Sequence, residues 1–228
     1  MAKHLDLEEQ EQLDQLRHFW NTWGVLISSV VIVVAGSVAA WNGYQYWQNR
    51  QAGQAAALFE SVEASLRTGD QGRMTQAFSD IRERYPRTTQ AAQAGLAVAK
   101  AMVDAGKPDG AKDALGWVAI NASDEGLKAV AQLRLAALLL DQKAYDDALK
   151  QLSNKVPAEF EGVFADRRGD VFLMQEMRPQ AIAEYTKAYK LVDEKIDYRR
   201  LVEVKLGALG VSPVAAAANG ASPVQGGR

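Results

Sequence analysis

The chain has 228 residues, 26 Lys and Arg against 28 Asp and Glu, two histidines and no cysteine. Its length suffices for one domain beside an anchor, and the lack of cysteine excludes a disulfide framework, a thiolate metal site and a thiol nucleophile. Both histidines, His4 and His18, precede a long apolar run, so the main domain holds neither a Ser-His-Asp triad nor a histidine-ligated metal.

Residues 1–22 form an acidic lead-in. The stretch LDLEEQEQLDQLRHF, from Leu5, favours a helix with Leu5, Leu13, Leu16 and Trp20 near one face. It reads as a solvated amphipathic approach to a membrane, or as a helix that docks in a partner's groove.

Residues 23–47 are the apolar run. No full charge occurs between His18 and Arg50. In a helix, residues 24–41 cover about 27 Å and the extension to Trp47 roughly 9 Å more, enough for a hydrocarbon core near 30 Å. The centre is rich in β-branched residues, but hydrocarbon demands that each backbone group be satisfied within the segment, so a helix is required. Trp20 and Trp23 at one end, and Trp41, Tyr44, Tyr46 and Trp47 at the other, form the aromatic belt of a spanning helix.

A cleaved signal peptide with its apolar region at 25–34 and a cleavage motif at Ser37-Val38-Ala39 is the rival. The long acidic stretch before the run argues against it. Orientation stays open on charge: Lys3 and Arg17 on one side balance Arg50 and Arg67 on the other. Ser29, Gly36, Ala40 and Gly43 recur along one helical face and would permit close packing on another spanning helix.

Residues 48–210 are alanine-rich and helical in period. From Arg50 onward, 24 basic residues (all but Lys3 and Arg17) meet 23 acidic ones (all but the five before the run). That balance carries no electrostatic footprint for nucleic acid. Three stretches align as helix pairs: a small residue, a turn, and an alanine twelve positions on, at Ala99/Ala111, Ala136/Ala148 and Gly169/Ala181. A large apolar residue follows four later, at Leu115, Leu152 and Tyr185. A weaker fourth unit is read at Ser65/Ala77 with Ile81. Repeats 37 and 33 residues apart lie near the tetratricopeptide period of about 34.

One such pair cannot bury its apolar face alone, so an all-α solenoid of three to four pairs is expected behind a single transmembrane helix. Turns are expected at Thr68-Gly69-Asp70, Gly106-Lys107-Pro108, Gln142-Lys143 and Arg178-Pro179. Pro108 and Pro179 are placed just inside second helices. Breaks between units are expected at Tyr85-Pro86, Asn121 to Ser123, and Val156-Pro157. Gly69-Asp70-Gln71-Gly72 lacks the lysine of a phosphate loop and reads as a turn. Residues 211–228, rich in Ala, Gly, Pro and Ser, read as a disordered tail.

In order, EEQEQLDQLRHFW, one aromatic-flanked span, LKAVAQLRLAALLLDQKAYDDALKQL and ADRRGDVFLMQEMRPQAIAEYTKAY resemble the YfgM family, ancillary SecYEG translocon subunits of Gram-negative bacteria. The likeness covers roughly residues 8–207, and its most specific pieces are Leu133-Arg134-Leu135-Ala136 and Arg168-Gly169-Asp170. One departure is Gln175-Glu176, where similar proteins have a glycine turn; it leaves open where that helix ends.

The resemblance implies an inner-membrane protein, cytoplasmic before about Thr22 and periplasmic after about Tyr46. It implies partners in the SecYEG translocon, periplasmic chaperones and exported polypeptides. The residues themselves ask for no enzyme, and no cofactor, metal, nucleic acid or small-molecule substrate is expected. Inward-facing positions carried over from the family give a partner groove of Lys100, Val103, Asp104, Leu133, Ala137, Leu140, Asp141, Asp166, Asp170 and Leu173.

The expected function is a membrane-anchored periplasmic scaffold that associates with the translocon and helps pass exported proteins to chaperones. A tetratricopeptide organiser of cell-wall or outer-membrane assembly is the alternative. The rival of another class is an enzyme using carboxylates alone, such as Asp166 with Asp170, which requires both to be buried with raised pKa values.

Overall fold

A computed structural model describes residues 7–212, with side chains from residue 16 onward. The expectations for Leu5 and Leu13, and for the tail beyond Ser212, lie outside the described residues. Among them the fold is helical with no strand: α1 (Leu7–Thr68), α2 (Gln71–Arg84), α3 (Thr89–Asp104), α4 (Pro108–Asn121), α5 (Glu125–Asp141), α6 (Tyr145–Leu152), α7 (Ala158–Met174), α8 (Arg178–Leu191) and α9 (Tyr198–Ala208).

Two compact units divide the chain at Gln51/Ala52. In the first, α1 carries the apolar run, whose valines and tryptophans, with Ile32, are exposed along its length. Its most apolar stretch has a mean hydropathy of 2.2, making it the one helix among the described residues long and apolar enough to cross a membrane. Tyr44 and Trp47 stack with ring centroids 6.3 Å apart.

The second unit is a stack of helix pairs. Sequence punctuation explains its boundaries. Asp70, Thr88 and Asp124 cap α2, α3 and α5, each side chain accepting from a backbone N–H three residues on. Pro108 opens α4 and Pro179 is the second residue of α8, positions where a missing N–H costs no helical bond. Asp146 and Asp147 sit in the first turn of α6, where the helix dipole favours negative charge.

Each first helix ends in the same way. Gly69, Gly106, Lys143, Glu176 and Gly210 adopt φ between 60° and 72°, and in each case the next residue's N–H bonds back to a carbonyl five residues earlier. The intervals between them are 37, 37, 33 and 34 residues. The departure at Gln175-Glu176 therefore changes the residue and not the turn. Glu176 and Lys143 hold a left-handed conformation that costs a side chain roughly 1–2 kcal/mol.

The turns also fix the register. Ala99, Ala136 and Gly169 each lie seven residues before a left-handed residue, and the equivalent in the first unit is Val62, not Ser65. Val62, Met74 and Phe78 are buried at the positions of Ala99, Ala111 and Leu115. The reading at Ser65, Ala77 and Ile81 is thus one helical turn late. Those three are also buried, matching Met102, Ala114 and Val118, because a shift of three residues keeps the same helical face. That register makes α9 the first helix of a fifth unit, placed after α8.

Candidate partner-binding groove

The first helices α3, α5 and α7 lie side by side and form one wall of the solenoid, with α4, α6 and α8 behind them. Walls of this kind are the inner, binding face of helical repeat proteins. Counting back from each left-handed residue gives rows that run across the wall. Ten before are Phe59, Leu96, Leu133 and Asp166; six before are Glu63, Lys100, Ala137 and Asp170. Three before are Leu66, Val103, Leu140 and Leu173; two before are Arg67, Asp104, Asp141 and Met174. All ten groove residues inferred from sequence fall in these four rows.

Their environments differ. Lys100 and Asp104 are exposed and pair at 2.6 Å along α3. Val103 and Leu173 are 49% and 40% exposed, and Leu133, Ala137 and Leu140 are half-buried. Asp141 is exposed and makes no ion pair among the described residues.

Asp166 is a correction: it is 1% exposed and cannot meet a partner. Lys205 of α9 donates to both its oxygens at 2.8 and 2.7 Å, and Tyr198 donates to Oδ2 at 2.6 Å. Asp170, 17% exposed, accepts from Lys205 at 2.7 Å and Tyr185 at 2.8 Å, and Arg167 pairs with it at 3.1 Å. Burial and the Asp170 hydrogen bond push the Tyr185 phenol far above its ordinary value, and burial with the Asp166 bond does the same at Tyr198. Both phenols thus stay protonated and donate.

A buried carboxylate survives only where paired and hydrogen-bonded, and here the pairing of Asp166 with Lys205 fastens α9 to α7. The two carboxylates are held by Lys205 and Tyr198 of α9, Tyr185 of α8 and Arg167 of α7 itself.

The residues that carry the family likeness have structural work. Arg168 donates to the Leu152 carbonyl and binds Glu184 at 2.8 Å, linking α7 to α6 and α8. Gly169 lets Tyr185 close in: a Cβ there would stand 2.5 Å from the ring.

Sequence reasoning missed Tyr198 and Lys205 because α9 was not seen as a unit. One signal existed: Gly210 and Pro213 repeat Glu176 and Pro179 at a distance of 34 residues.

In the other unit, Ser29, Ala40, Gly36 and Gly43 are exposed on α1. Ser29 turns its hydroxyl onto the Val25 carbonyl at 2.7 Å, and a Cβ at Gly36 or Gly43 would meet nothing within 4 Å.

Comparison with known proteins bears on what this arrangement is. A family model described as a tetratricopeptide repeat-like domain matches residues 17–211. A Neisseria gonorrhoeae protein named ancillary SecYEG translocon subunit is 35% identical over 213 residues, 92% of this chain and 100% of its own.

The chain belongs to the YfgM family.

Members bearing the same name in Escherichia coli and Haemophilus influenzae are 28% and 25% identical, each over 72% of this chain and 79% and 80% of their own. The family match begins at Arg17 and ends at Val211, one residue after the fifth left-handed turn. YfgM membership therefore takes in the apolar helix and α9 as well as the four complete pairs.

Proposed function

We propose that this chain is a membrane-anchored scaffold of the Sec translocon. Its N-terminus faces the cytoplasm and residues after about 47 stand in the periplasm. The spanning helix seats against a translocon helix through Ser29, Gly36, Ala40 and Gly43. The first-helix wall holds a segment of an exported polypeptide or of a chaperone, and so helps pass new exports onward.

One observation carries the reading: a span-length apolar helix is joined in one chain to a wall whose equivalent positions Leu66, Val103, Leu140 and Leu173 are all apolar and none of them buried. Apolar side chains left open in register have a use when another chain covers them. Relatives named as translocon subunits supply the site of action. The proposed orientation supplies a reason for a lead-in that stays attached: it remains inside when the helix stops in the bilayer.

Copurification in mild detergent is the test. The full chain is expected to bring down the translocon, and Gly36→Leu with Ala40→Leu to reduce that recovery several-fold by holding helices apart. Recovery of wall-synthesis or outer-membrane assembly proteins in place of the translocon would contradict the reading.

A further inference from the structure

The wall's rows say what kind of segment suits it. Val103, Leu140 and Leu173 make a strip one residue wide across α3, α5 and α7, and Leu66 holds the equivalent position near the end of α1. The flanking row opens with Arg67, supplies Asp104 and Asp141 on α3 and α5, then becomes apolar at Met174. Met174 and Met177 are 55% and 41% exposed at the α7–α8 turn, where the equivalents in α3 and α5 are polar or small. Methionine is flexible and polarisable, so such a turn adapts to varied apolar side chains.

Neighbouring packed helices lie about 8–10 Å apart, and an extended chain in the polyproline II conformation rises about 3.1 Å per residue with three residues per turn. Every third residue of an extended segment therefore meets the next unit. A helix would instead lay down an apolar stripe roughly 100° wide, broader than this single file between charged rows.

Over α3 and α5 the charges choose the partner's sign. Asp141 has no ion pair among the described residues, and the Lys100–Asp104 pair is solvent-exposed and contributes little that a ligand must replace. Lys107 is turned away to Gln71 of the preceding pair. Lys143 and Glu176 belong to the turns, beyond the wall.

We infer that the groove takes an extended apolar-and-basic polypeptide segment, with apolar side chains at every third position on the strip and lysine or arginine opposite Asp104 and Asp141. The inference rests on the groove-binding reading above and adds the chemistry of the occupant.

The test uses the full chain in zwitterionic-lipid nanodiscs, with empty discs as background. Three labelled peptides serve as probes for fluorescence anisotropy: leucine at every third position with lysine between, the same with glutamate between, and a lysine peptide with serine replacing leucine. The leucine–lysine peptide is expected to bind about tenfold tighter than either control, the size that two exposed charge contacts of changed sign can give. Asp104→Asn with Asp141→Asn should bring the lysine and glutamate peptides to within about threefold, and Met174→Lys with Met177→Lys should weaken the leucine–lysine peptide about tenfold.

Equal affinity for the lysine and glutamate peptides, or a ratio the Asn variants leave unchanged, overturns the inference and leaves groove binding standing. Failure of every peptide while a photo-crosslinker at position 140 still captures polypeptides in cells also overturns the inference alone. Failure of both overturns the reading beneath it.

Discussion

At the residue scale, Gly169 and Lys205 decide how the last complete pair is held. Gly169→Ala places a methyl 2.5 Å from the Tyr185 ring, which is itself 1% exposed and hydrogen-bonded to Asp170. Overpacking of that kind is expected to cost about 2 kcal/mol, read as a lower midpoint in urea with an unchanged slope. Lys205→Ala leaves Asp166 buried without its cation and should cost about 3 kcal/mol, whereas Asp166→Leu with Lys205→Met, which removes both charges, should cost clearly less.

The first of these residues was legible in the sequence: a glycine twelve before an alanine, with a tyrosine four beyond, states the close approach outright. Lys205 was not legible. Its partner sits 39 residues earlier, and nothing local marks a lysine in a short charged helix as the bond that buries an aspartate.

At the element scale, the five left-handed turns set the repeat more firmly than the small residues do. Small-to-small spacing is satisfied equally by Val62/Met74 and by Ser65/Ala77, three residues apart on one face, so periodicity alone placed the first unit a turn late. The conformational cost is testable. Lys143→Gly and Glu176→Gly remove a side chain from φ near 60°, and each is expected to leave stability unchanged or raise it by up to about 1 kcal/mol.

The α9 clasp has a pH limit. Tyr185 and Tyr198 face Asp166, Asp170, Arg167 and Lys205, and both phenols titrate above their unfolded value in the folded chain. The folded state therefore binds more protons than the unfolded one above about pH 10. Stability is full below that pH and falls as pH rises toward the folded pKa values. Chemical denaturation from pH 9 to 11.5 should show the decline, and Tyr185→Phe with Tyr198→Phe should flatten it at the expense of a lower plateau.

For the whole molecule, the helix-pair solenoid agrees with what the repeat spacing expected, and membership of the YfgM family with the resemblance. The ten groove positions implied by the resemblance share four rows, and Asp166 is closed off where the helix stacked next covers its row.

Photo-crosslinking in living cells measures this most directly. A crosslinker at Leu140, on the wall, is compared with one at Ile120, which is 78% exposed on the second helix α4. Capture of translocon-associated exported polypeptides or chaperones from position 140 and not from 120 is the expected result. Equal capture from both positions, or capture from 120 alone, would contradict a partner-binding groove.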